Sequence, residues 1–202
     1  MKYIIVLFLV HFASVVQADS FVGGDLQLGL DNNNQTNARI EYWWGKGKLS
    51  GYGYQDFYNL DKQTTRIADH RIRFHLNDYA FMASETRFSS FGDSQKFGLG
   101  VQLAKTEIFD SIFDILKVTY FGLESGSGDT KQLLTVWWTK PWQLSERLQV
   151  YSAGISRVRE GLSNFHEPQL WFSFDENPLE VGIEVDIFGD DYIPQLTLKY
   201  KF

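Results

Sequence analysis

The chain has no cysteine, only four prolines and two methionines among 202 residues, and no apolar run after its first eighteen that could cross a membrane as a helix. The missing cysteines exclude a disulfide framework, thiolate metal sites and a thiol nucleophile. Base is scarce as well. Nineteen Lys and Arg stand against 25 Asp and Glu, and a net charge of −6 argues against a nucleic-acid partner. Aromatics are what the chain has in excess, with 17 Phe, 10 Tyr and 6 Trp making up 16% of it. Rings this numerous and this evenly spread need a large apolar surface to face, yet the mean hydropathy is only −0.25. That combination implies one all-β domain, soluble or membranous.

Lys2, the apolar run from Tyr3 to Val10, and Val16-Gln17-Ala18 read as an export signal cleaved after Ala18. Its apolar core is shorter than the roughly 20 residues that a spanning helix needs. Residues 1–18 are therefore expected to be a signal peptide and residues 19–202 one exported domain. In a Gram-negative-type envelope that domain stays soluble or inserts as strands.

Alternation decides between the two. In the last eight residues Leu196, Leu198, Tyr200 and Phe202 fall on one side and Gln195, Thr197, Lys199 and Lys201 on the other. A second run sets Leu179, Val181, Ile183, Val185 and Ile187 against Glu180, Gly182, Glu184 and Asp186. One face suits lipid and the other a wet lumen, the period-2 signature of a transmembrane β-barrel strand. Trp44, Trp138, Tyr200 and Phe202 fit girdle positions at the membrane interfaces.

Twelve such segments can be marked, near 20–30, 37–45, 48–58, 66–76, 79–90, 95–104, 113–123, 131–140, 146–156, 166–175, 178–188 and 192–202. An antiparallel barrel of about twelve strands follows, with ten as the alternative, at ~15 residues per strand and connection. Strands three and nine leave their facing open. The connections alternate in character. Asp31 to Gln35, the stretch around Asp61-Lys62-Gln63, Gly92-Asp93-Ser94, Ser125 to Asp129 and Arg157 to Asn164 are polar and fit external loops. Gly45-Lys46-Gly47, Asn77-Asp78 and Glu176-Asn177-Pro178 are tighter and fit periplasmic turns, with a longer connection over 105–112.

Tyr200-Lys201-Phe202, after alternating Leu196 and Leu198, resembles the terminal signal read by the barrel-assembly machinery. Further inside, three segments resemble the Tsx-like family of nucleoside-specific outer-membrane channels and its uncharacterised relatives. They are Trp44-Gly45-Lys46-Gly47 leading into Tyr52 to Asn59, Glu85-Thr86-Arg87-Phe88, and Glu167-Pro168-Gln169-Leu170-Trp171. The resemblance implies a twelve-stranded barrel and nucleosides as solutes, although this chain is shorter than a typical member.

The faces opposite the apolar ones give the lumen. Arg39, Glu41 and Trp43 are expected inward on strand two, and Arg71, Arg73 and His75 on strand four. Glu85 and Arg87 follow on strand five, Lys117 on strand seven, and Glu167, Gln169 and Trp171 on strand ten. Glu180, Glu184 and Asp186 complete the set with Lys199 and Lys201, and Asp56 is added as a candidate lining residue. Two readings stay open. Either the charges pair across the barrel and fill it, or a basic and an acidic wall face each other across a permeant, with Trp43, Trp171 and tyrosines offering flat surfaces.

An enzyme is not expected. Ser163, His166 and Glu167 are the best candidate hydrolase set, but neighbours in a strand alternate faces. His166-Glu167 is an isolated pair, and Asp186, Asp190 and Asp191 lack Ca²⁺-loop spacing, so neither metal nor cofactor is expected. The expected partners are outer-membrane lipid, the barrel-assembly machinery and a small polar solute. The sequence thus reads as a passive outer-membrane channel, against a barrel enzyme acting on lipid or lipopolysaccharide, or a plugged structural barrel.

Overall fold

The computed structural model describes residues 20–60, 65–90, 92–126, 132–159, 164–175 and 177–202. The proposed signal peptide, Asp61-Lys62-Gln63, Ser127 to Asp129, Ser163 and Glu176 lie outside the described residues. Twelve strands form one closed antiparallel barrel in which each pairs with its sequence neighbours and the first closes on the last. They are β1 (Ser20–Asp31), β2 (Thr36–Lys46), β3 (Leu49–Tyr58), β4 (Thr65–His75), β5 (Ala80–Ser89) and β6 (Ser94–Gln102). The second half comprises β7 (Ile115–Gly126), β8 (Leu133–Ser145), β9 (Leu148–Arg159), β10 (Phe165–Phe174), β11 (Leu179–Phe188) and β12 (Asp191–Lys201).

Closure leaves no strand edge to satisfy, which is what a sheet without water around it requires. The seam is made by β1 and β12, where Asp25 lies opposite Lys201 and Asp31 opposite Gln195. Gly24 and Phe202 exchange both backbone hydrogen bonds, at 3.3 and 3.0 Å, beyond the last paired residue of β12.

Alternation sorts the side chains as the sequence implies. Leu26, Leu28, Leu30, Ile72, Phe74, Leu99, Val181, Ile183, Leu196 and Leu198 are all exposed on the outer wall. So much contiguous apolar surface would drive aggregation in water, and it is the solvated face of a protein bathed in lipid. The same alternation resolves the two open strands. Tyr52 lies opposite Arg71 and Asp56 opposite Arg39, so the tyrosines of β3 face inward. Arg157 lies opposite Thr135 and Tyr151 opposite Trp171, so Tyr151, Ala153 and Ile155 also face inward.

The connections fall at two ends. At a loop end β1 meets β2, β3 meets β4, β5 meets β6, β7 meets β8, β9 meets β10 and β11 meets β12, and at a turn end β2 meets β3, β4 meets β5, β6 meets β7, β8 meets β9 and β10 meets β11. At the turn end Gly47 takes φ +56°, a left-handed value that glycine adopts without strain. Asn77 Oδ1 accepts from the backbone N–H groups of Tyr79 and Ala80, both at 2.8 Å, and fixes the next turn. The longer connection carries a short 3₁₀ turn, Leu103–Lys105. Expectations change at the loop end, where Ser94 belongs to β6 and Ser125 and Gly126 to β7 rather than to loops. Arg157 is not in a loop, because β9 continues to Arg159 and carries Arg157 into the lumen.

Candidate functional site

The lumen is where the chain concentrates its charge, and every lining residue named from the sequence faces into it. Arg39, Glu41, Trp43, Asp56, Arg71, Arg73, Glu85, Arg87, Glu167, Trp171 and Glu184 all occupy inward register positions on β2, β3, β4, β5, β10 and β11. They are not equivalent, because webs of ion pairs and open cavities divide the barrel interior between them.

The first web centres on Arg39. Its Nε donates to Asp56 at 2.6 Å and its Nη1 to Glu167 at 2.7 Å, and Glu41 and Glu184 each lie 3.6 Å from Nη1. The bond to Glu167 crosses the lumen from β2 to β10, between residues 128 apart in sequence. Bidentate contacts of this kind use the fixed fork of the guanidinium, which a lysine cannot reproduce. Gln169 Nε2 donates to both Glu167 and Glu184, at 2.6 and 2.9 Å, and Gln195 Nε2 donates to Asp186 at 3.0 Å. Glu167, Glu184 and Asp186 each bring a carboxylate oxygen within 4.8 Å of the others. Arg39 supplies positive charge at two of these acids, Glu167 and Glu184.

The second web centres on Arg157, which the sequence reading placed in a loop. Its two Nη atoms donate to Asp69 at 3.1 Å and to Glu85 at 2.5 Å. Strand β9 lies five steps from β4 around the ring, so this pair also spans the lumen. Arg71 Nε reaches Glu85 at 2.7 Å, Arg87 reaches Asp69 at 2.7 Å, and Lys96 sits 3.5 Å from Glu85 and 3.3 Å from Glu124. Tyr54 ties the webs together. Its hydroxyl donates to Asp69 at 2.9 Å while the Arg39 guanidinium sits 5.1 Å from its ring centroid.

A cavity of about 400 Å³ lies on the turn-end side of these webs, with Trp43, Tyr52, Arg73, Lys117 and Trp137 in its wall. A second, of about 210 Å³, lies toward the loop end, lined by Tyr58, Arg87, Arg157, Arg159 and Phe165. Tyr54 and Glu167 line both, so the partition between them is made of side chains.

Two expected lining residues are enclosed instead. Glu85 is 0% exposed, wrapped by Arg71, Lys96 and Arg157. Trp171, also 0% exposed, offers no free face for a permeant. Lys199 Nζ sits 3.6 Å from its centroid, Tyr151 stacks beside it at 6.4 Å, and a Cβ at Gly182 would meet its ring at 2.3 Å. Nor is the lumen wholly polar. Phe81, Ala83, Phe121 and Leu133 form a buried apolar cluster on β5, β7 and β8. The register shift between Phe97 and Gly98 lets β7 present both Phe121 and Glu124 inward.

The candidate hydrolase set does not assemble. His166 faces outward, with Nδ1 3.0 Å from Ser156 Oγ, whereas Glu167 faces the lumen.

No protein-family model matches the chain, and no curated protein sequence does. Solved structures do resemble it. The KdgM porin in complex with disordered oligogalacturonate has a TM-score of 0.57 at 9% identity, covering 89% of this chain and 99% of that one. The NanC porin has a TM-score of 0.53 at 11% identity, covering 88% and 97%. At such identities the likeness is one of fold.

Proposed function

We propose that the protein is an outer-membrane channel for passive movement of small polar solutes. It would be exported by residues 1–18 and folded with its turn end toward the periplasm. One observation carries this reading: cavities of about 400 and 210 Å³ approach from opposite ends and are parted by side chains alone. Such a partition opens by side-chain rotamer changes, with no rearrangement of the barrel backbone. The fold shared with the KdgM and NanC porins supports the same function. Nucleosides are the permeants that the resemblance to Tsx-like channels names, and Trp43, Tyr52 and Trp137 offer rings beside Arg39 and Glu41 to receive them.

A second reading has an observation behind it. The Arg39 to Glu167 and Arg157 to Asp69 pairs both cross the lumen, and a barrel in which they never part is a plugged structural one. An enzyme acting on lipid has less support, since His166 and Glu167 are on opposite faces of the wall.

Conductance of the refolded chain in planar bilayers separates these readings. Single-channel steps are expected, with partial block by nucleosides if these are the permeants. A folded barrel that stays silent would refute the channel and leave the plugged form.

A further inference from the structure

Two of the inward cations stand apart from the rest. Arg39, Arg71, Arg87, Lys96, Arg157, Arg159, Lys199 and Lys201 each have a carboxylate oxygen within 4.0 Å. Arg73 and Lys117 have none among the described residues. Arg73 is only 4% exposed, yet its guanidinium is held by rings alone, 5.3 Å from the Trp137 centroid and 5.7 Å from that of Phe81. Lys117 Nζ lies 5.2 Å from the same indole. Lys117 is the direct cross-strand partner of Trp137, while Arg73 arrives from β4, four strands away. Two like charges therefore converge on one ring.

Contact with an aromatic face offsets only part of the cost of withdrawing a cation from water, and the two cations repel each other. An anion between them would relieve both penalties. Both side chains line the turn-end cavity, whose volume of about 400 Å³ is within the range of small-ligand sites. The rest of that wall is complementary in a second way. Asp25, Glu41 and Glu167 line the same cavity from β1, β2 and β10 and present carboxylates that accept hydrogen bonds from hydroxyl groups.

We propose that Arg73 and Lys117 form an oxyanion subsite in the turn-end vestibule, which takes a polyhydroxylated solute bearing one carboxylate or phosphate. The oxyanion lies against the two cations beside Trp137, and the hydroxyls donate toward Glu41 and Asp25. This deepens the channel reading and rests on it for its purpose, since a vestibule site of this kind would concentrate charged solutes over their neutral parents.

Binding to the refolded full barrel in detergent micelles tests it, by titration calorimetry with two matched pairs, glucuronate against glucose and adenosine monophosphate against adenosine. Each anion is expected to bind at least about tenfold tighter than its neutral parent, the scale of one or two hydrogen bonds to a charged group. The Arg73→Gln, Lys117→Gln double variant is expected to lose that preference, whereas Lys48→Gln, in a turn outside the lumen, retains it. If the double variant fails to fold, Lys117→Gln alone must still reduce the preference, its side chain being less buried. Inorganic phosphate as competitor separates the two chemistries: displacement of the nucleotide but not of glucuronate assigns the subsite to phosphate. Equal affinity within both pairs, or a preference that survives the double variant, overturns the proposal. Micelle binding needs no conduction. A silent barrel that still prefers the anions would refute the channel and leave the subsite, and a conducting one without preference would do the reverse.

Discussion

Replacing Arg157 by alanine tests the idea that cross-lumen pairs hold the barrel in one interior arrangement. The guanidinium gives one hydrogen bond to Asp69 at 3.1 Å and one to Glu85 at 2.5 Å, and all three side chains are buried. Breaking a buried pair by removing one partner costs about 3 to 5 kcal/mol, chiefly through the charge left behind. Here the stranded carboxylates keep other donors. Asp69 retains Arg87 at 2.7 Å and the Tyr54 hydroxyl at 2.9 Å, while Glu85 retains Arg71 at 2.7 Å and Lys96 at 3.5 Å. The loss therefore belongs at the lower end, about 3 kcal/mol. Urea unfolding of the refolded barrel, followed by the mobility difference between folded and unfolded forms, measures it. The same variant widens the partition, because Arg157 lines the loop-end cavity next to Tyr54 and Glu167, so single-channel conductance should rise. An unfolding midpoint and a conductance both equal to those of the parent protein would refute the reasoning.

Phe202→Asp should lower outer-membrane levels more than Lys201→Gln, because the Phe202 ring lies on the outer wall over Gly24 at the β1/β12 seam whereas Lys201 points inward to Glu180. A charge at a membrane interface costs only about 1 kcal/mol or less, so a large drop reports on recognition by the assembly machinery, and equal levels for the two variants would remove the terminal signal. Gly182→Ala should destabilise the barrel by about 1 to 3 kcal/mol, since the new methyl group would meet the enclosed Trp171 ring, and an unchanged urea midpoint would contradict that packing. Trp43→Ala should lower the ratio of nucleoside to sugar uptake into liposomes, because Trp43 lines the open vestibule. Trp171→Ala should act on stability, by about 3 to 5 kcal/mol, and leave the uptake ratio of the folded fraction alone. The reverse pattern would show that the vestibule is not where rings are bound.

What could be read from the sequence follows from a period of two. Once Leu196, Leu198 and Tyr200 were placed outward, the facing of Lys199 and Lys201 was determined, and the same parity strand by strand turned every lining candidate but Asp56 inward; Asp56 lies on β3, whose facing only its pairing with Arg39 shows. Strand number and the sorting of connections to two ends were legible for the same reason, since an up-and-down barrel needs only local turns. The boundary at Arg157 was not. A stretch of Arg, Val, Arg and Glu carries no apolar pair by which to continue the alternation, although β9 is held there by pairing with Leu133 and Thr135.

Partners across the lumen were illegible in principle, and that is where the two readings of the charges divide. Arg39 meets Glu167 and Arg157 meets Asp69 at separations of 128 and 88 residues, set by ring closure and by which side chains are long enough to reach. The interior is not uniform in this respect. Around Arg39 and Arg157 the charges pair and fill, while at Arg73 and Lys117 they remain unpaired over an open cavity. Trp43 and Trp171 were offered as equal stacking surfaces because parity says only that a ring points inward. What separates them is the wall beside the ring and above it. Trp171 lies directly opposite Gly182 and under Lys199, so its indole lies flat on the sheet with a cation as its lid. Trp43 also rests against a glycine, Gly23, but borders the open cavity. A glycine opposite an aromatic thus marks a ring laid on the wall, and only the long side chain that covers it decides whether a solute can reach it.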